Sequence, residues 1–203
     1  MEGGMSVKPI LFNTDMVRAI LDGRKTVTRR LVKPRYGGSL EVYKDLAGVP
    51  RLCERCGTLN RGLRPPYQIG DILWVRETWI SLVGSYLYRA DQKPGMKNPG
   101  KWFPSIHMPK EAARIWLRVT DVRVERLQEI DEDGIRAEGL TSACVHAGDM
   151  EIAAQEFALL WDSTIKPAGL DRYGWAANPW VWVIAFERCE KPEEKKLKCC
   201  GLC

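Results

Sequence analysis

The chain has 203 residues, 45% hydrophobic and 28% charged, with a formal net charge of +5. That length fits one domain with a sizeable core better than two small ones, and no apolar run approaches the roughly 20 residues of a membrane-spanning helix. The opening MEGGMSVKPILF lacks a basic stretch followed by an apolar one, and seven cysteines are an odd number for a secreted disulfide framework, so a cytoplasmic protein with reduced thiols is expected.

In chain order, residues 1–7 read as a flexible leader. Lys8 to Phe12 reads as a strand, and Asn13 or Thr14 as the cap of a helix carrying Met16, Ile20 and Leu21 on one side and ending at Gly23. Thr26 to Val32 returns to extended structure with β-branched residues, closed by Pro34. From about 35 to 68 the pattern loses its period and collects Gly and Pro, which predicts a loop insertion or inserted subelement outside the core. Asp71 to Ile80 (DILWVRETWI) reads as one strong strand after a turn at Gly70, and Tyr86 to Ala90 as a weaker one. Gln92 to Lys101 reads as a loop.

Ile115 to Leu127 alternates apolar and polar residues, the mark of a long half-buried strand. Asp131 opens a short helix that stops at Gly139, a second helix runs from about Met150 to Asp162, and Trp180 to Glu187 is a final strand. The order is too strand-rich and irregular for a parallel βαβ array. It predicts an α+β domain over residues 8–188, a small β-barrel with short helices at its ends, followed by a charged, flexible tail at 189–203.

The segment most suggestive of chemistry is Gly23-Arg24-Lys25-Thr26-Val27-Thr28-Arg29-Arg30. Four cations within seven positions suit a phosphate- or base-bearing ligand, and equally a solvated face. Regular alternation would set Lys25 and Arg29 on the face opposite Thr28 and Arg30, so a shared site requires a bend near Lys25. Arg76 and Glu77 are neighbours on a strand and point to opposite faces. Arg76 is a candidate for a phosphate or base edge and Glu77 for a partner of Lys25 or Arg30, with a structural ion pair as the alternative. Trp74 is a candidate stacking surface or a core residue, and His107 a ligand contact or a cap. Cys53-x-x-Cys56 with Cys144-x-His146 has the makings of a structural zinc site, the alternative being unligated thiols. Nothing resembles a phosphate loop, a dinucleotide fingerprint, HExxH or G-x-S-x-G, so neither a nucleotide-triphosphate nor a dinucleotide cofactor is expected, and none is required.

The pattern G-x-K-x-x-x-x-R at Gly23, Lys25 and Arg30 resembles the signature of the ASCH family. So do IGDILWVRETW, the strand at Ile115 to Leu127, EIDEDGIRAEGL and the closing WVWVIAFE. The likeness spans roughly Lys8 to Arg188 and looks closest to the phage and prophage branch. It implies a barrel similar to the PUA RNA-binding domain, with RNA or a modified nucleoside as partner in a basic cleft.

One branch of that family hydrolyses N4-acetylcytidine with a lysine and a threonine of a G-R-K-T-x-T segment and a downstream glutamate. Here GRKTVT puts those roles on Lys25 and Thr28. The glutamate falls on Glu138 of RAEGL, with Glu132 or Glu129 as alternatives. The implied alternative to simple binding is therefore an amidohydrolase: Lys25 takes the Thr28 proton, Thr28 attacks the acyl carbon, and Glu138 serves the departing amine.

Overall fold

The computed structural model describes residues 6–47, 50–140 and 149–193. Strand β1 (Val7–Leu11) leads into helix α1 (Thr14–Leu21), whose cap is Asn13, the side chain accepting the Met16 N–H at 2.8 Å. Strand β2 (Val27–Leu31) follows the glycine turn at Gly23, and β6 (Ile72–Arg76), β9 (Trp116–Arg126) and β10 (Trp180–Cys189) complete a five-stranded mixed sheet. The strands lie in the order β1-β6-β9-β10-β2, with β1 and β6 parallel and the other pairs antiparallel.

The sheet curls so that its two edges approach each other. Arg30 of β2 donates to the carbonyl of Leu11 in β1 at 2.8 Å, and its guanidinium stands 5.3 Å from the centre of the Phe12 ring. A side chain thus bridges the gap between the end strands.

Strand β10 carries core residues on both faces. Ile184 and Phe186 pack with Phe12, Val17, Ile20 and Val75 on the side covered by α1. Val181 and Val183 pack with Leu127 and Ile135 and with Phe157 and Trp161 of helix α3 (Met150–Ser163) on the other. Full burial of each such side chain contributes about 1.5–3 kcal/mol. Helix α2 (Glu132–Ala137), capped by Asp131, lies between β9 and α3, and a short helix α4 (Leu170–Tyr173), not evident in the sequence, follows α3.

Three expectations need correction. The run from Asp71 to Ile80 is two strands: β6 ends at Arg76, and β7 (Trp79–Leu82) pairs only with β8 (Ser85–Tyr88) in a separate hairpin. The break is at Glu77, which is buried, donates its N–H to Met108 Sδ at 3.1 Å and accepts from Arg114 at 2.9 and 3.1 Å. Partners some thirty residues away set that break, and no local pattern announces it.

The insertion at about 35–68 is not a plain loop. It forms a three-stranded antiparallel sheet of β3 (Ser39–Lys44), β4 (Pro50–Cys56) and β5 (Leu59–Gly62), with Leu52 and Cys53 buried. Glu54 anchors it by accepting the main-chain N–H groups of Arg35, Tyr36 and Gly38 at 2.7–2.8 Å. At the other end, β10 continues to Cys189, one residue past the expected limit at 188. Residues 194–203 of the expected tail lie outside the described residues.

Candidate functional site

Lys25 lies before β2, in the turn that leaves α1. Gly23 adopts φ +76°, a conformation that favours glycine, and the Ala19 carbonyl accepts the N–H groups of both Arg24 and Lys25, at 2.9 and 3.0 Å. This supplies the bend that alternation required. Strand β2 is an edge of the sheet, and α2 covers that edge: Thr26 donates its N–H to the Ala137 carbonyl at 2.8 Å.

The contact between α2 and β2 depends on two glycines. A Cβ at Gly134 would come within 2.9 Å of the Arg29 guanidinium. One at Gly139, where φ is +90°, would come within 2.8 Å of the Ala19 Cβ and 2.9 Å of the Lys25 Cβ. With hydrogen in those places, Glu138 settles against Lys25 and Arg29.

Lys25 is 2% exposed and Glu138 8%. The Lys25 ammonium donates to Glu138 Oε2 at 2.5 Å, to the Val27 carbonyl at 2.8 Å and to the Glu138 carbonyl at 3.1 Å, which uses all three of its hydrogens. The other carboxylate oxygen, Oε1, accepts the Arg29 main-chain N–H at 2.9 Å and its guanidinium at 3.3 Å. Arg29 also reaches Glu125 at 3.5 Å. A buried network of this kind is compensated only while every member is present.

Burial pulls the Lys25 ammonium below its ordinary value of 10.5; the Glu138 carboxylate opposes that shift, and the cations of Arg30 and Arg29 add to it. Arg30 is likewise lowered from its ordinary value, first by burial, and an arginine so shifted keeps its proton.

Beside this network is a cavity of about 80 Å³. Thr28, Arg29, Arg30 and Glu138 form its polar wall, and the rings of Phe157 and Trp161 face them. Among the described residues the Thr28 hydroxyl has no hydrogen-bond partner. Thr28 and Arg30 from one face of β2 and Arg29 from the other border this same space. A larger open depression of about 790 Å³ lies between Arg18 and the loop around Arg89–Met96, and none of the expected site residues lines it.

The structure therefore gathers Lys25, Thr28, Arg29, Arg30 and Glu138, with Gly23 acting through the turn that aims Lys25. The remaining expected residues lie elsewhere. Glu77 pairs with Arg114, not with Lys25 or Arg30, and its carboxyl is raised above 4.5 by burial against the opposing pull of Arg114. Arg76 stands 5.4 Å from the Trp74 ring and donates to the Ile106 carbonyl. His107 is exposed on the single turn Ser105–His107. Cys53 and Cys56 lie three positions apart on one strand, where odd spacing turns side chains to opposite faces. Cys144 and His146 lie outside the described residues. Sequence reasoning missed Met16, Phe157, Leu160 and Trp161 as site residues. Phe157 and Trp161 are buried and Met16 and Leu160 half-buried, and an apolar residue on a helix carries no sign in the sequence that its face borders a cavity.

No family model matches the chain, and no curated protein does. The fold is similar to a high-resolution crystal structure of an ASCH domain from Lactobacillus crispatus JV V101. The TM-score is 0.39 at 15% identity, over 90% of this chain and 79% of that one. It is also similar to a protein of the DUF984 family from Enterococcus faecalis V583, with a TM-score of 0.43 at 13% identity, over 91% of this chain and 76% of that one.

Proposed function

We propose that the protein binds a nucleobase, a nucleoside or a short RNA segment at the β2 edge, with Arg30 and Thr28 as the polar contacts. The observation that carries this reading is a cavity with a cationic wall, a free Thr28 hydroxyl and two facing aromatic rings, set against a Glu138 carboxylate held through both oxygens by Lys25 and Arg29. The GRKTVT resemblance points to the same ligand class. Calorimetric titration with cytidine, N4-acetylcytidine and a short oligoribonucleotide at two salt concentrations tests it. Binding that weakens in Arg30→Ala and Thr28→Val supports the reading, and affinity that falls with salt for the oligomer alone identifies RNA as the ligand. Absence of binding by all three overturns it.

A second reading, amide hydrolysis, is favoured by Thr28 and Glu138 bordering one cavity while Lys25 donates to the same Glu138 carboxylate from behind it. Thr28 Oγ would attack the acyl carbon as its proton passes to a neutral Lys25 amine. The C–N bond would then break with a proton delivered to the leaving amine, and water would release the acyl group as carboxylate. In the present geometry the Lys25 ammonium has no free position for the Thr28 proton, so hydrolysis requires Lys25 to lose its proton and leave one of its three acceptors. Binding alone requires no such change and is the better supported of the two. Chromatography for cytidine released from N4-acetylcytidine separates them, with Thr28→Val as the inactive control.

A further inference from the structure

A second cavity, of about 100 Å³, lies on the other side of Glu138, bordered by Asn13, Asp15, Ala19 and Leu140. Met16, Glu138 and Leu160 line both this cavity and the one beside Thr28, so these three side chains form the partition between them.

The members of the partition differ in freedom. Glu138 is held through both oxygens by Lys25 and Arg29. Met16 and Leu160 are apolar and only partly buried. Met16 has its N–H fixed by the Asn13 cap, yet its unbranched thioether can change rotamer without moving α1. The two cavities also differ in chemistry. The first carries Thr28, Arg29 and Arg30. In the second, Asn13 is engaged as the cap and Asp15 is paired with Arg18 at 3.3 Å, which leaves Met16, Ala19, Leu140 and Leu160 as an apolar lining.

We infer that the two cavities are halves of one ligand cleft, divided by a movable Met16–Leu160 gate. The cleft takes a planar, hydrogen-bonding ring on the Arg30 side and a short apolar substituent on the Leu140 side, with the fixed Glu138 carboxylate at the junction. The ligand class rests on the binding reading above; the joining of the cavities does not.

Two measurements test this. Crystals of wild type and Met16→Ala are pressurised with xenon, which needs no natural ligand. Two separate xenon sites in wild type and one continuous site in the variant are expected, and two unchanged, separated sites in the variant would refute the shared cleft. In parallel, affinities for cytidine, N4-acetylcytidine and N4-butyrylcytidine are measured for wild type, Met16→Ala and Leu160→Ala. Both variants should bind the acylated nucleosides more tightly relative to cytidine than wild type does, and each added methylene should contribute about fourfold where it is buried. Equal changes for all three nucleosides would remove the apolar half from the ligand site. If no nucleoside binds while xenon joins the cavities, the cleft stands and the proposed ligand class falls.

Discussion

Glu138 occupies the place of a neighbouring strand beside Arg29: its Oε1 accepts the Arg29 main-chain N–H at 2.9 Å, a group that the edge of the sheet would otherwise leave unpaired. The same carboxylate neutralises Lys25 through its other oxygen. Sheet edge and buried charge are therefore stabilised by one side chain.

Glu138→Ala removes both roles and leaves two buried cations. The expected loss of stability is about 3–5 kcal/mol, read from urea unfolding. Glu138→Gln retains an acceptor for the Arg29 N–H and should lose measurably less. Equal losses in the two variants would show that the carboxylate's charge alone matters.

Lys25 gives a pH dependence of definite sign. Its folded-state pKa lies below 10.5, so between that lowered value and 10.5 the unfolded chain binds more protons than the native one, and stability attributable to this group rises with pH. Compared with Lys25→Met, wild type should gain stability as pH increases towards 10.5, as followed by chemical denaturation. A difference that stays flat or falls over that window contradicts the shift.

Gly139→Ala is a test of the α2–β2 contact. The added methyl meets Ala19 and Lys25 at under 3 Å, in a backbone conformation that L-residues rarely adopt. A cost of about 1–3 kcal/mol is expected, and ligand affinity should fall with it because Lys25 and Glu138 are displaced. Unchanged melting and binding would mean that the turn relaxes freely.

Asp71 predicts the opposite pH behaviour to Lys25. Burial raises its carboxyl, but bonds from Lys8 at 2.7 Å, Ser6 at 2.6 Å and the Gln68 N–H at 2.9 Å outweigh it, so the pKa lies below 3.8. Its contribution is present above 3.8 and is lost as pH falls through the lowered value. Asp71→Asn should melt lower than wild type at pH 7, and the gap should close in acid. A gap that persists there would assign the effect to shape rather than charge.

The elements readable from sequence were those specified by neighbouring residues. The Asn13 cap and Gly23 bounded α1, Asp131 and Gly139 bounded α2, and the alternation from Ile115 to Leu127 outlined β9. The break at Glu77 was hidden because Met108 and Arg114 impose it, and the 35–68 sheet because Glu54 accepts main-chain N–H groups sixteen to nineteen positions away.

Within the candidate site, the sequence by itself supplied the residue types: a lysine and a threonine after a glycine-ended helix, and a glutamate before a glycine. Only the tertiary structure decided that they meet. Lys25 and Glu138 are 113 positions apart and come together because α2 covers the β2 edge of the sheet. A sequence displays side chains along a line. Which main-chain groups are left without partners, and which distant carboxylate satisfies them, follows only from how the sheet is ordered.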